Sequence, residues 1–126
     1  MAMKQCFVWL AAAILLLFPR WTHAHHSLSI YDPDRNFTLT GTATEFIYAN
    51  PHAQLRFEVR DTNGNVESWS AETSGVRRLA TAGWDQDTIK PGDQVTVIGR
   101  RIKDGTKKMF MERIIINGKE YERGRR

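Results

Sequence analysis

The residues in this chain best suited to inorganic chemistry are histidines. Four are present, His23, His25, His26 and His52. His23 falls in a leader segment expected to be removed, which leaves His25, His26 and His52. Cleavage after Ala24 would expose a free α-amine on His25, and that amine can close a chelate ring with its own imidazole. One further imidazole, from His52, completes the nitrogen-rich planar or T-shaped donor set that copper(II) prefers. Zinc fits this set less well, and Asp32 or Asp34 would be the oxygen ligand if one is used. The same residues also permit a purely structural reading. A two-histidine terminus can lie free in solvent, and Asn50-Pro51-His52 can be a stiffened turn with the ring hydrogen-bonded locally.

Other side chains offer weaker alternatives. Met109 and Met111 are two apart on one strand and could ligate copper(I), although methionines there more often fill a core. Trp69, Trp84, Tyr31 and Tyr48 could form a stacking platform for a sugar or planar ligand, with core packing the simpler role for the tryptophans. Ser27 beside His26 lacks an orienting acid and is not a triad. Glu45, Glu58, Glu67 and Glu72 are scattered over strand positions where a solvated face explains them. Gly99 and Gly105 belong to strand and turn contexts, not to a phosphate loop.

The histidine argument depends on the first segment. Lys4 is followed by an uncharged run from Phe7 to Phe18, then Pro19-Arg20-Trp21 and the small-residue approach Thr22-His23-Ala24. That order is the pattern of a secretory signal peptide over residues 1–24. The apolar run is well short of the ~20 residues of a membrane span, so no span is expected after cleavage. The only cysteine, Cys6, departs with the leader. The expected mature chain, residues 25–126, then has no thiol for metal ligation or catalysis. It has the size of one domain with one core.

Loss of Lys4 and Arg20 takes the 18 basic residues to 16 against 14 acidic ones, a balance of +2. Such a balance argues against nucleic acid as a partner. The basic ending Glu122-Arg123-Gly124-Arg125-Arg126 reads as a solvated tail.

The elements that would position His52 are strands. Phe37 to Thr44 alternates apolar residues with threonine, and Gly41 and the shift of parity to Phe46 and Tyr48 predict a long first strand that bends. Leu55, Phe57 and Val59 alternate with polar residues in a second strand. The Asn63-Gly64 pair turns it into a third strand from Val66 to Glu72. Ser74 is placed to cap a short helix that Gly83 would end, with Trp84 packed on its end. Lys90-Pro91-Gly92-Asp93 leads into a fourth strand around Val95 and Val97. Lys103 to Thr106 turns into a fifth from Met109 to Ile116. Five strands with one helix between the third and fourth predict a mainly β, five-stranded OB-fold-like barrel, with an open antiparallel sandwich as the rival.

With His25-His26-Ser27, the Gly41-centred strand, Asn50-Pro51-His52, Gly83-Trp84 and Lys90-Pro91-Gly92-Asp93-Gln94-Val95-Thr96-Val97 in view, the chain resembles a family of small exported, periplasmic bacterial proteins known as a domain of unknown function. The likeness runs from His25 to about Ile116. It implies export and a shared fold, and it marks His25, His26 and His52 as motif positions without a role.

The reading reached from sequence is a non-catalytic periplasmic or secreted binding module that holds copper, or less fittingly zinc, or an unknown small ligand, through His25, His26 and His52. The alternative is an accessory protein that binds an envelope protein partner or an envelope carbohydrate, with the histidines incidental. A metal-dependent oxidase or hydrolase at the same histidines is a third reading.

Overall fold

The computed structural model describes residues 30–124, and the side chains of all of these except 33–35. The expected leader, His25 and His26 lie outside the described residues. Strand β1 runs Tyr31–Ile47, β2 Gln54–Arg60 and β3 Val66–Glu72. Helix α1 runs Val76–Thr81, and β4 (Gln94–Ile102), β5 (Lys108–Ile116) and β6 (Lys119–Glu122) follow. Strand β1 pairs antiparallel with both β2 and β4, β2 with β3, and β4 with β5. A short parallel pairing of β3 with β5 closes the barrel. The five-stranded OB-like order is therefore present, with the helix between β3 and β4.

One long strand can serve both halves of the barrel because it bends. The register of β1 against β2 slips between Ala43 and Glu45. Gly41 lies just before this slip, and a Cβ there would overlap the Glu58 carbonyl. A further slip lies between Ile98 and Gly99 of β4, where a Cβ on Gly99 would overlap the Phe110 carbonyl oxygen. Both glycines let neighbouring backbones approach closely at barrel corners.

Inward positions of all five barrel strands meet in one core, including Leu55, Phe57, Ala71, Val95, Val97 and Ile114. Leu79 of α1, with Trp84 and Ile89, joins the same cluster. Met109 and Met111 are each 1% exposed within it. They are core residues, the simpler of the two roles the sequence left open.

One expectation is corrected. Ser74 does not cap α1: the cap position is Gly75, without a side-chain bond of its own. The chain also has a sixth strand, Lys119–Glu122, between the expected fifth strand and the basic ending, where no element was expected. Asn117 and Gly118 both have positive φ, 47° and 86°, and so turn β5 back onto β6. This strand packs: Tyr121 meets Trp84 edge to face at 5.7 Å, and Trp84 Nε1 donates to the Glu122 carbonyl at 2.9 Å.

Candidate functional site

His52 sits in the β1–β2 loop, which the segment after β3 holds from several sides. The Asn50 side-chain oxygen accepts the Val76 N–H at 3.0 Å and so caps α1. The Tyr48 hydroxyl donates within 3.0 Å of the Trp84 carbonyl, and the Val76 carbonyl lies 3.3 Å from it. Ala53 N–H donates to the Ser74 carbonyl at 3.1 Å, and Thr73 N–H returns a bond to the Ala53 carbonyl at 2.9 Å. A Cβ at Gly75 would strike the Pro51 carbonyl and the Asn50 amide, so only glycine lets the loop lie this close to α1. His52 thus stands on fixed backbone.

The imidazole is oriented as firmly as the loop. His52 Nδ1 lies 3.0 Å from the Thr73 carbonyl oxygen and 3.0 Å from Glu72 Oε1. Both neighbours only accept, so Nδ1 must carry the proton. In the neutral ring this leaves the lone pair on Nε2, which has no protein partner among the described residues. The His52 side chain is 42% exposed, in a shallow groove formed with Ile47, Pro51, Gln54 and Glu72. A histidine that donates from one nitrogen to a backbone carbonyl, with a carboxylate close by, is in a posture that metal-binding imidazoles also adopt.

Glu72 has a second partner. The Tyr31 hydroxyl, on a residue 6% exposed, lies 3.4 Å from Glu72 Oε2. Burial pushes the Tyr31 phenol up to about 12, and the charge of Glu72 and the bond to it act in the same direction. The Tyr31 ring is held against Phe110, centroids 5.6 Å apart, and Phe110 is the register partner of Glu72 across the β3–β5 closure. Tyr31, Glu72 and His52 thus lie in one polar line from the start of β1 to the β1–β2 loop.

The sequence-derived candidates divide accordingly. Among the described residues, no group of three or more His, Cys, Asp or Glu side chains is placed to hold a metal ion. Asp32 lines a different groove, with Phe37, Arg101 and Lys103. The side chain of Asp34 lies outside the described residues. Trp69 and Trp84, 5% and 3% exposed, are core residues and offer no open stacking platform.

Sequence reasoning missed Glu72 by grouping it with solvated glutamates. A signal was available: antiparallel register counted outward from the Asn63-Gly64 turn places Glu72 opposite Gln54, two residues beyond His52.

The motif positions Asn50, Pro51 and His52 therefore form a working unit with the β3–α1 segment. The model for a family of unknown function, DUF6152, matches residues 15–111. The chain belongs to that family. No curated protein matches the chain. Solved structures with partial likeness include a ZRD-deleted mutant of TiaS in complex with agmatine. It is 22% identical over 65% of this chain and 21% of that chain, with a TM-score of 0.44. A TiaS–tRNA complex with AMPCPP and agmatine is likewise 22% identical over 65% of this chain, but over 18% of its own, with a TM-score of 0.44. The chain spans about a fifth of the length of these proteins. Among the described residues of this DUF6152 member, no helix is long and apolar enough to cross a membrane.

Proposed function

We propose that this DUF6152 protein is an exported, non-catalytic binding module that holds a copper ion between the processed N-terminus and the barrel. The donors are the α-amine and imidazole of His25 and Nε2 of His52, with His26 beside them. The observation that carries this reading is the orientation of His52, whose Nδ1 is occupied by two acceptors while Nε2 is open.

The reach of the arm supports the same reading. Tyr31, the first residue of β1, lies one carboxylate away from His52. The six residue steps from His25 to Tyr31 can extend roughly 20 Å, enough for His25 to fold back to the groove. Three nitrogens in a plane suit copper(II) over zinc, which prefers a closed tetrahedral set.

The test is to produce the protein by export with its native leader, determine the N-terminal mass, and titrate copper and zinc. A terminus at His25 with one copper bound per chain, lost in His52→Ala, is the expected result. A terminus at His25 with only weak copper uptake unaffected by His52→Ala overturns the reading. An envelope protein or carbohydrate partner then becomes the leading hypothesis.

A further inference from the structure

We propose that the outer face of β2, β3 and the start of β5 carries a second site, which takes the phosphate group of a small soluble phosphate monoester. Strand register builds it. Arg56 of β2 pairs with Ser70 of β3, and Ser70 pairs with Lys108 of β5, so the three stand in one row across the closure of the barrel. Thr44, inside the register slip of β1, together with Ser68 and Lys107, joins that row to line one groove of about 360 Å³. Neighbouring strands lie ~4.8 Å apart, so Arg56 and Lys108 flank Ser70 at roughly 10 Å from each other. Two long cationic side chains at that separation can close on a single group seated over the serine. The site needs no metal and shares no residue with the copper reading.

Charge selects the ligand. Arg56, Lys107 and Lys108 line the groove and no carboxylate does, whereas the His52 groove contains Glu72 and the groove beside Arg101 contains Asp32. The acidic partners of two of these cations stand outside it. Glu45 Oε2 accepts from Arg56 Nη1 at 2.7 Å, and Glu67 pairs with Lys107. The Arg56–Glu45 pair is 57% and 49% exposed, so it holds the guanidinium weakly and leaves further N–H donors for a ligand. Lys108 makes no ion pair among the described residues. Its charge is felt at Asp104, but that carboxylate is already bonded to the Thr106 N–H and hydroxyl. A phosphate monoester carries about −1.5 to −2 at pH 7 and offers three acceptor oxygens, which matches three cations and the hydroxyls of Thr44, Ser68 and Ser70. A carboxylate brings one charge and two oxygens and leaves part of this set unused. The volume lies at the small end of ligand sites and suits a phosphate on a body of sugar size.

The experiment titrates the full exported chain, stripped of metal and held at constant ionic strength, with glycerol 3-phosphate and glucose 6-phosphate. Calorimetry gives affinity and stoichiometry, and amide NMR shifts give the location. Glucose and sulfate are the controls, and vesicles containing phosphatidic acid are tested by co-sedimentation. One phosphate ester should bind per chain, with shifts centred on Arg56, Ser70 and Lys108, and glucose should not bind. Lys108→Ala and Arg56→Ala should each weaken binding by about 10-fold or more, as expected for loss of one hydrogen bond to a charged group. Both side chains are on the surface, so the melting temperature should not move. Glu45→Gln, which removes the carboxylate that competes for Arg56, should tighten binding.

No saturable binding of either ester would overturn the proposal, and so would binding that both alanine variants leave unchanged. Sulfate bound as tightly as the esters would reduce the groove to an adventitious ion only. Binding to the vesicles without binding of the soluble esters would make it a membrane contact. Either of these last two outcomes also overturns the proposed ligand.

Discussion

The side-chain oxygen of Asn50 accepts the backbone N–H of Val76 at 3.0 Å, across 26 positions of sequence. A loop residue thereby supplies the cap that α1 lacks locally, and the loop bearing His52 is tied to the helix it caps. Exposed donors in the first turn of a helix need such a partner. Asn50→Ala should cost about 1 kcal/mol, the typical worth of a lost cap. Chemical denaturation measures this loss. On the copper reading, copper affinity should fall with it, because the loop that presents His52 loses an anchor.

Gly99 is predicted to tolerate no side chain. Its Cβ would fall on the Phe110 carbonyl oxygen and lie 3.1 Å from the Met111 Cα, where β4 and β5 bulge past each other. Backbone cannot give way there as a flexible side chain could. Gly99→Ala should destabilise the barrel by about 1–3 kcal/mol or more, read from the denaturation midpoint. Gly64→Ala, in a turn where nothing lies within 4 Å, meets only the strain of φ +86° and should be milder.

Alkaline stability should report on Tyr31. Its phenol is raised from 10.0 to about 12, by burial first and by Glu72 second, so the folded state holds this proton more tightly than the unfolded state. The resulting stabilisation is whole below about pH 10 and is lost as pH rises from 10 towards 12. Tyr31→Phe has no proton to lose and should flatten that part of the alkaline decline. An equal decline in both proteins would contradict the buried Tyr31–Glu72 arrangement.

Acid stability should report on Asp93. Its carboxylate accepts the Lys90 N–H and the Asn117 side-chain N–H, each at 2.8 Å, and these bonds hold it below its ordinary 3.8. A depressed carboxylate contributes stability above its unfolded value, and that contribution is lost as pH falls through the folded value. Asp93→Asn should lower stability at neutral pH and show less further loss between pH 4 and 2. Thermal melts over that range measure the difference.

The copper reading makes a prediction that needs no change in the barrel. One extra residue placed before His25 converts its α-amine into an amide and destroys the chelate ring. Copper affinity should fall by at least 100-fold while the melting temperature of the metal-free protein stays the same. Retained affinity would show that the amine takes no part.

Much of the barrel was legible in the sequence because its signals are local. Alternation in Leu55, Phe57 and Val59 marks a strand whatever it packs against, and Gly83 does end α1 with φ +83°. The Asn117-Gly118 turn carried the same kind of signal, but the short run of four mostly charged residues after it lacked the apolar alternation that marks a strand, so β6 went unassigned. Strand pairing by four residues needs only backbone bonds and one apolar contact, here Tyr121 on Trp84.

The sequence by itself determined the strand pattern, the bend near Gly41, His52 as the described member of the candidate ligands, and membership of a recognisable family. Those properties depend on side-chain type and short spacing. Only the tertiary structure decided what surrounds His52. The proton on Nδ1 follows from the Thr73 carbonyl, with Glu72 at the same distance, the cap on α1 from Asn50, and the tie from the end of β3 to the start of β1 from Tyr31. Each joins residues 20 or more positions apart, because closing the barrel brings the end of β3 against both the β1–β2 loop and the start of β1. Composition and periodicity are blind to such meetings, since a hydrogen bond depends on where two atoms stand and not on how far apart they lie in the chain.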